Sequence, residues 1–135
     1  MKKIIAVLIF AFWSKNAVAQ TTDYQLSSHI LDVSKGTPAV GVTIRLEKRN
    51  EKTNSWYTVE QKVTDANGRI TDFLKKSDAN LGIYKLTYFT KPYFEKQNTA
   101  SFYPFIEVVF EISDYSHYHV PITLSAYGYS TYRGN

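Results

Sequence analysis

The chain has 135 residues, 44% hydrophobic and 16% aromatic, with 21% charged, no cysteine and a formal net charge of +4. That length fits one domain with a sizeable core, and the composition excludes an apolar-poor disordered chain. The lack of cysteine excludes disulfides, thiolate nucleophiles, Cys-ligated zinc and lipid attachment at cysteine.

Residues 1–19 read as a signal peptide rather than as part of the fold. Lys2 and Lys3 form a short basic region, residues 4–13 are an apolar run, and Ala17-Val18-Ala19 offers a small-x-small cleavage site. The run is far shorter than the roughly 20 residues a membrane-spanning helix needs. Cleavage after Ala19 removes Lys2, Lys3 and Lys15 but no acidic residue, so the domain expected at 20–135 is close to neutral. The basicity of the whole chain therefore carries no argument for nucleic acid, and no dense Lys/Arg patch with interleaved aromatics occurs. The expected location is periplasmic or secreted, with no membrane attachment after cleavage.

Beyond this segment, turn signals recur at short intervals, at Lys35-Gly36-Thr37-Pro38, 50–55, Asp65-Ala66-Asn67-Gly68, 78–82 and 113–116. The runs between them are rich in β-branched and aromatic residues, which favour strands. Strands are predicted near 24–33, 41–48, 56–64, 69–73, 83–90, 105–113, 117–125 and 129–133. Val42, Ile44 and Leu46 alternate with Thr43, Arg45 and Glu47; Ile106, Val108, Phe110 and Ile112 alternate with Glu107, Val109 and Glu111. Eight short strands at this spacing predict an all-β sandwich or barrel. One helix is expected at 92–101, with Pro92 in its first turn.

The polar residues that break this pattern are candidates for chemistry. In 117–125, Tyr118, Val120, Ile122 and Leu124 form the apolar face, which puts His117, His119, Pro121 and Thr123 on the other. In 24–33, Leu26 and Ile30 mark the core side and leave Ser27, His29 and Leu31 outside. A histidine near pKa 6.5 can exchange a proton at neutral pH and act as a general base. Taken singly, each is more often an ordinary surface histidine. His117-Tyr118-His119 also has the spacing of a zinc pair on a strand, with His29 as a third ligand, but nothing in the sequence fixes that third position.

Asp65-Ala66-Asn67-Gly68-Arg69 reads as a β-turn, since Asn-Gly favours the left-handed conformation that hairpin turns require. The Arg69 guanidinium beside it can hold a carbonyl or anionic oxygen through forked hydrogen bonds, or can simply be a solvated strand-end charge. The segment Tyr127-Gly128-Tyr129-Ser130-Thr131-Tyr132-Arg133-Gly134-Asn135 is strand-like up to Arg133. Its polar groups could bind a small heterocycle if the last strand pairs with the histidine strand. No Ser-His-Asp order, Gly-rich phosphate loop or paired-carboxylate signature accompanies them.

These stretches together resemble the transthyretin-like proteins, and among them the 5-hydroxyisourate hydrolases. The resemblance is carried by Leu26-Ser27-Ser28-His29-Ile30-Leu31-Asp32, by Gly36-Thr37-Pro38-Ala39 with Gly41-Val42, and by Thr64-Asp65-Ala66-Asn67-Gly68-Arg69-Ile70. It continues through Tyr93-Phe94 and Ser101-Phe102-Tyr103-Pro104. It is most specific in His117-Tyr118-His119-Val120-Pro121-Ile122-Thr123-Leu124-Ser125 and in the final segment, whose Tyr132-Arg133-Gly134 matches the ending that separates the enzymes from the hormone carriers.

The resemblance implies two four-stranded sheets in a transthyretin-like (prealbumin) sandwich with one short helix. It also implies a homotetramer, a dimer of dimers, whose outer sheet faces line a channel and whose sites lie where dimers meet. The implied reaction is hydrolytic ring opening of 5-hydroxyisourate to 2-oxo-4-hydroxy-4-carboxy-5-ureidoimidazoline in urate degradation, with no cofactor. By position, the implied catalytic residues are His29, Arg69, His119 and Tyr132. The implied substrate contacts are His29, Arg69, Tyr132, Arg133, Gly134 and Asn135. His119 would accept the water proton, His29 orient or share it, Arg69 steady developing negative charge, and Tyr132 bond the heterocycle, with His117 a strand neighbour rather than the base. The family ends in serine where this sequence has Asn135. The competing expectations are a non-catalytic exported β-sandwich module and a carrier holding an aromatic ligand in the channel.

Overall fold

Side chains on a strand alternate between faces, so a period-two apolar pattern needs a second layer to cover it. The computed structural model describes residues 23–135, and the predicted signal segment lies outside the described residues. Among the described residues nine strands occur: β1 Tyr24–Asp32, β2 Thr37–Pro38, β3 Thr43–Arg49, β4 Trp56–Val63, β5 Arg69–Lys75, β6 Gly82–Tyr88, β7 Ile106–Ile112, β8 Tyr118–Ser125 and β9 Gly128–Thr131. One sheet runs β4-β3-β6-β7. In the other, β1 pairs in parallel with β8, β8 pairs with β9, and the far edge of β1 is shared by β5 and the two-residue β2. All eight expected strands are present. Only β2, too short to stand out in a turn-rich stretch, raises the second sheet from four strands to five.

The inward residues meet between the sheets. Leu26, Ile30, Ile44, Leu46, Leu86, Ile106, Ile112, Ile122 and Leu124 are all buried, each worth about 1.5–3 kcal/mol relative to exposure. Tyr84 and Tyr88 are buried too, and neither leaves its hydroxyl stranded. Tyr84 donates to the Asn80 carbonyl at 2.8 Å, and the Tyr88 hydroxyl lies 3.0 Å from Ser28 Oγ.

One local expectation changes. The helix, α1, spans only Lys91–Glu95. Asn98 adopts the left-handed conformation (φ 50°), and the amides of Thr99 and Asn98 donate back to the carbonyls of Phe94 and Glu95, both at 3.0 Å. That pair of bonds closes a helix end, with asparagine in the place glycine usually takes. The β-turn expected at 65–69 is present. It carries the chain from β4 in one sheet to β5 in the other, and only Gly68 within it is left-handed.

Candidate active site

The site is built on the outer face of the sheet containing β1. Between β4 and β5, one Asp65 carboxylate oxygen accepts from the amides of Asn67 (2.8 Å) and Arg69 (2.9 Å). The Gly68 amide donates to the Asp65 carbonyl at 2.9 Å. Such an Asx turn bends the chain sharply using one short side chain. Gly68 has φ +68°, and a Cβ there would lie 2.7 Å from the Ile30 carbonyl oxygen. The Ile30 amide in turn donates to the Gly68 carbonyl at 2.9 Å. The turn is thereby pinned to β1 one residue past His29, and Arg69 falls directly opposite His29 in register.

On the other side of β1, the parallel pairing sets Ser27 opposite His119. Ser27 Oγ lies 2.8 Å from His119 Nδ1 and 2.8 Å from His117 Nε2. His117 Nδ1 is 2.9 Å from the Tyr24 carbonyl oxygen. The outward alternation expected for His29 and His119 holds, and both are half-buried. One ring nitrogen of each histidine in the expected zinc pair, His117 Nε2 and His119 Nδ1, faces the Ser27 hydroxyl. No group of three His, Cys, Asp or Glu residues able to hold a metal occurs among the described residues.

The chain end folds back across the same face. Gly134 pairs with His119, its amide donating to the His119 carbonyl at 2.9 Å. The approach is so close that a Cβ on Gly134 would overlap His119 Cδ2 and stand 3.2 Å from Cγ. Asn135 follows, exposed.

Tyr132 and Arg133 lie elsewhere in this chain. The Arg133 guanidinium sits over the Tyr118 ring, 4.6 Å from its centroid, on the face of β8 opposite to His119. Both residues line a half-open cleft of about 310 Å³ against β7, with Val108, Phe110 and Val120 among its walls. The structure thus brings together His29, Arg69, His119 and Gly134, and places Tyr132 and Arg133 apart from them.

The electrostatics of the cluster favour neutral imidazoles. Burial first, and then the Arg69 charge, pushes His29 below its ordinary value, partly opposed by a hydrogen bond at the Asn67 backbone and by Asp65. Burial likewise lowers His119, reinforced by Arg69, His29 and His117. The amides of Arg69 and Asn67 hold the Asp65 carboxyl below its usual value, so it stays ionised beside the turn. At neutral pH the site offers two uncharged imidazoles and one guanidinium, a set able to accept a proton and to steady an oxyanion.

Ser27 was missed as a site residue in the sequence. Its signal was present, since it shares the outward face of β1 with His29, but its partners are 90 and 92 residues away.

Residues 26–134 match the HIUase/Transthyretin family. The chain belongs to that family. Within it, the chain is 44% identical over 111 residues to a probable 5-hydroxyisourate hydrolase of Caenorhabditis elegans, covering 82% of this chain and 81% of that protein. Among solved structures it is similar to 5-hydroxyisourate hydrolase of Klebsiella pneumoniae, with a TM-score of 0.70, 37% identity, and 83% and 94% of the two chains covered. It is similar also to transthyretin of Sparus aurata, with a TM-score of 0.76, 30% identity, and 82% and 96% covered. Membership of the HIUase/Transthyretin family accounts for the sandwich. The histidine–arginine cluster is the part on which a chemical function rests.

Proposed function

We propose that this protein is a hydrolase that opens the ring of 5-hydroxyisourate in urate degradation. The observation that carries the reading is the convergence of His29, Arg69 and His119 on one sheet face, with both histidines held neutral. Family membership and relatives bearing the hydrolase name support the same conclusion.

In the reaction, water adds to a ring carbonyl as His119 takes its proton. The carbonyl oxygen gains negative charge, which Arg69 steadies. The adjacent carbon–nitrogen bond then breaks, and the departing nitrogen recovers the proton from the imidazole. His29, opposite Arg69, orients the water or shares the proton. A single oxyanion donor of this kind is typically worth about 10²–10³ in rate. Gly134 and Asn135 complete the substrate contacts of this chain in this reading, while Tyr132 and Arg133, apart from the cluster, carry the tail that presents them.

The assembly belongs to the same proposal. β7 and β9 are each the last strand of their sheet and line one cleft together, and Phe105, Val109, Tyr129 and Tyr132 on or beside them are exposed. Unpaired strand edges invite strands from another chain. A symmetric pair joined along them, doubled into a homotetramer, would set Tyr132 and Arg133 at a subunit boundary. Export to the periplasm or beyond rests on the signal-peptide pattern of residues 1–19.

The test generates 5-hydroxyisourate in place with urate oxidase and follows its absorbance decay with and without the purified protein. The expected result is acceleration that His119→Ala abolishes. Spontaneous decay alone, in the presence of folded wild-type protein, would overturn the hydrolase and leave a binding module or carrier.

A further inference from the structure

The two histidines flanking Tyr118 are joined through one hydroxyl, and the direction of every hydrogen in that chain follows from its far end. A carbonyl oxygen only accepts, so His117 Nδ1, 2.9 Å from the Tyr24 carbonyl, must carry a proton. A neutral His117 then has its lone pair on Nε2, which lies 2.8 Å from Ser27 Oγ and takes the serine hydrogen. A serine hydroxyl has one hydrogen to give. With it committed to His117, Oγ is left as an acceptor towards His119 Nδ1, also at 2.8 Å, and that nitrogen carries the proton of its ring. The remaining nitrogen, His119 Nε2, holds a lone pair and makes no hydrogen bond within the described residues.

We propose that Ser27 and His117 are positioning residues that hold His119 in its Nδ1–H tautomer, so that Nε2 is the proton acceptor presented to substrate. The inference deepens the hydrolase reading above and rests on it. Neutral imidazole in water exchanges its proton between the two nitrogens, and only one tautomer is a base at Nε2. Ser27 is 8% exposed, so bulk water does not readily replace either of its partners. The groups acting on His119 are Arg69, His29 and His117, none of them an anion. When Nε2 takes a proton, the Nδ1–H bond to Ser27 becomes charge-assisted and strengthens. That contact supplies part of what an orienting carboxylate supplies elsewhere.

The arrangement also predicts how it fails. Without an acceptor at position 117, the Ser27 hydroxyl is free to turn and donate to His119 Nδ1. His119 then carries its hydrogen on Nε2, where it blocks proton abstraction. His117 therefore governs the base from two bonds away without touching substrate.

The experiment reads the tautomer directly. In protein labelled with ¹⁵N-histidine, long-range ¹H–¹⁵N spectra at a pH where the rings are neutral distinguish a protonated from an unprotonated ring nitrogen. The expected wild-type pattern is Nδ1–H with bare Nε2 at both His117 and His119. His117→Phe is expected to move His119 to the Nε2–H form and to lower kcat roughly 10²-fold, the lower end of what general-base catalysis supplies, with KM little changed. His117→Gln keeps an oxygen that can accept the Ser27 hydroxyl, and should restore both the tautomer and kcat towards wild type. Ser27→Ala should lower kcat as His117→Phe does.

A wild-type His119 protonated on Nε2 overturns the proposal, as does a His117→Phe protein that retains wild-type tautomer and kcat. A wild-type protein with the expected tautomer but no turnover would sink the hydrolase reading instead, so the two failures are distinguishable.

Discussion

Gly134→Ala tests how the chain end is seated. At Gly134 a Cβ would overlap His119 Cδ2 and crowd Cγ at 3.2 Å and Cβ at 3.3 Å. Its backbone is not in the left-handed region, so alanine carries no conformational penalty there and the conflict is purely steric. Either the imidazole rotates away or the tail lifts. Lifting sacrifices the hydrogen bond from the Gly134 amide to the His119 carbonyl, worth about 0.5–1.5 kcal/mol. That is a shift in Tm of at most roughly 10 °C for a domain of this size. Catalysis should suffer far more, because displacing a catalytic group by about 1 Å can cost on the order of 10²-fold. Gly128→Ala is the control. Its nearest neighbour is Ser125 Oγ at 3.6 Å, an ordinary contact, and it should keep wild-type kcat and Tm. Hydrolysis of 5-hydroxyisourate and thermal unfolding are measured on all three proteins. A fully active Gly134→Ala protein would refute the seating of the tail on His119.

Arg69→Gln is expected to lower kcat about 10²–10³-fold with little change in Tm, because the side chain is exposed. It also removes a charge that depresses both His29 and His119, so the acid limb of its kcat/KM profile should move to higher pH; an unmoved limb counts against that coupling. In wild type, the depressed histidines should keep kcat/KM flat down to somewhat below 6.5, with loss on further acidification. Their folded-state values lie below the unfolded value, so they contribute stability that is present above 6.5 and lost as pH falls through the folded values. Thermal unfolding followed from pH 7 downward should show that loss, and His119→Ala should reduce it. Gly68→Ala forces alanine into φ +68° against the Ile30 carbonyl; it should cost about 1–3 kcal/mol or more and, by shifting Arg69, impair turnover. An unchanged urea midpoint would refute that account.

Much of this molecule was legible residue by residue. Period-two alternation is a local property, so the faces of β1 and β8, and with them the outward histidines, could be read without knowing any partner strand. The bend at Asp65–Arg69 was equally local, because it depends on the Asp65 carboxylate and the left-handed Gly68. Where the chain went after that bend was not. Turn chemistry sets a change of direction, while the sheet that receives the next strand depends on which apolar faces must be covered. The crossing from one layer to the other was therefore visible only in the fold. The helix stopped early for a reason visible only in three dimensions, a left-handed Asn98 closing it back onto Phe94.

The sequence by itself determined the strand pattern, the family motifs and the inventory of proton-transfer groups. Tertiary structure decided how those groups act on one another. The parallel pairing of β1 with β8 brings Ser27 to His119 across 92 residues of chain and gives the serine a direction to donate. The tail sends Arg133 onto Tyr118 and Gly134 onto His119, opposite sides of one strand from adjacent residues. Composition and spacing establish which atoms are available. The register of strands distant in sequence determines which of them lie within 3 Å of each other, and the chemistry of the site depends on that distance.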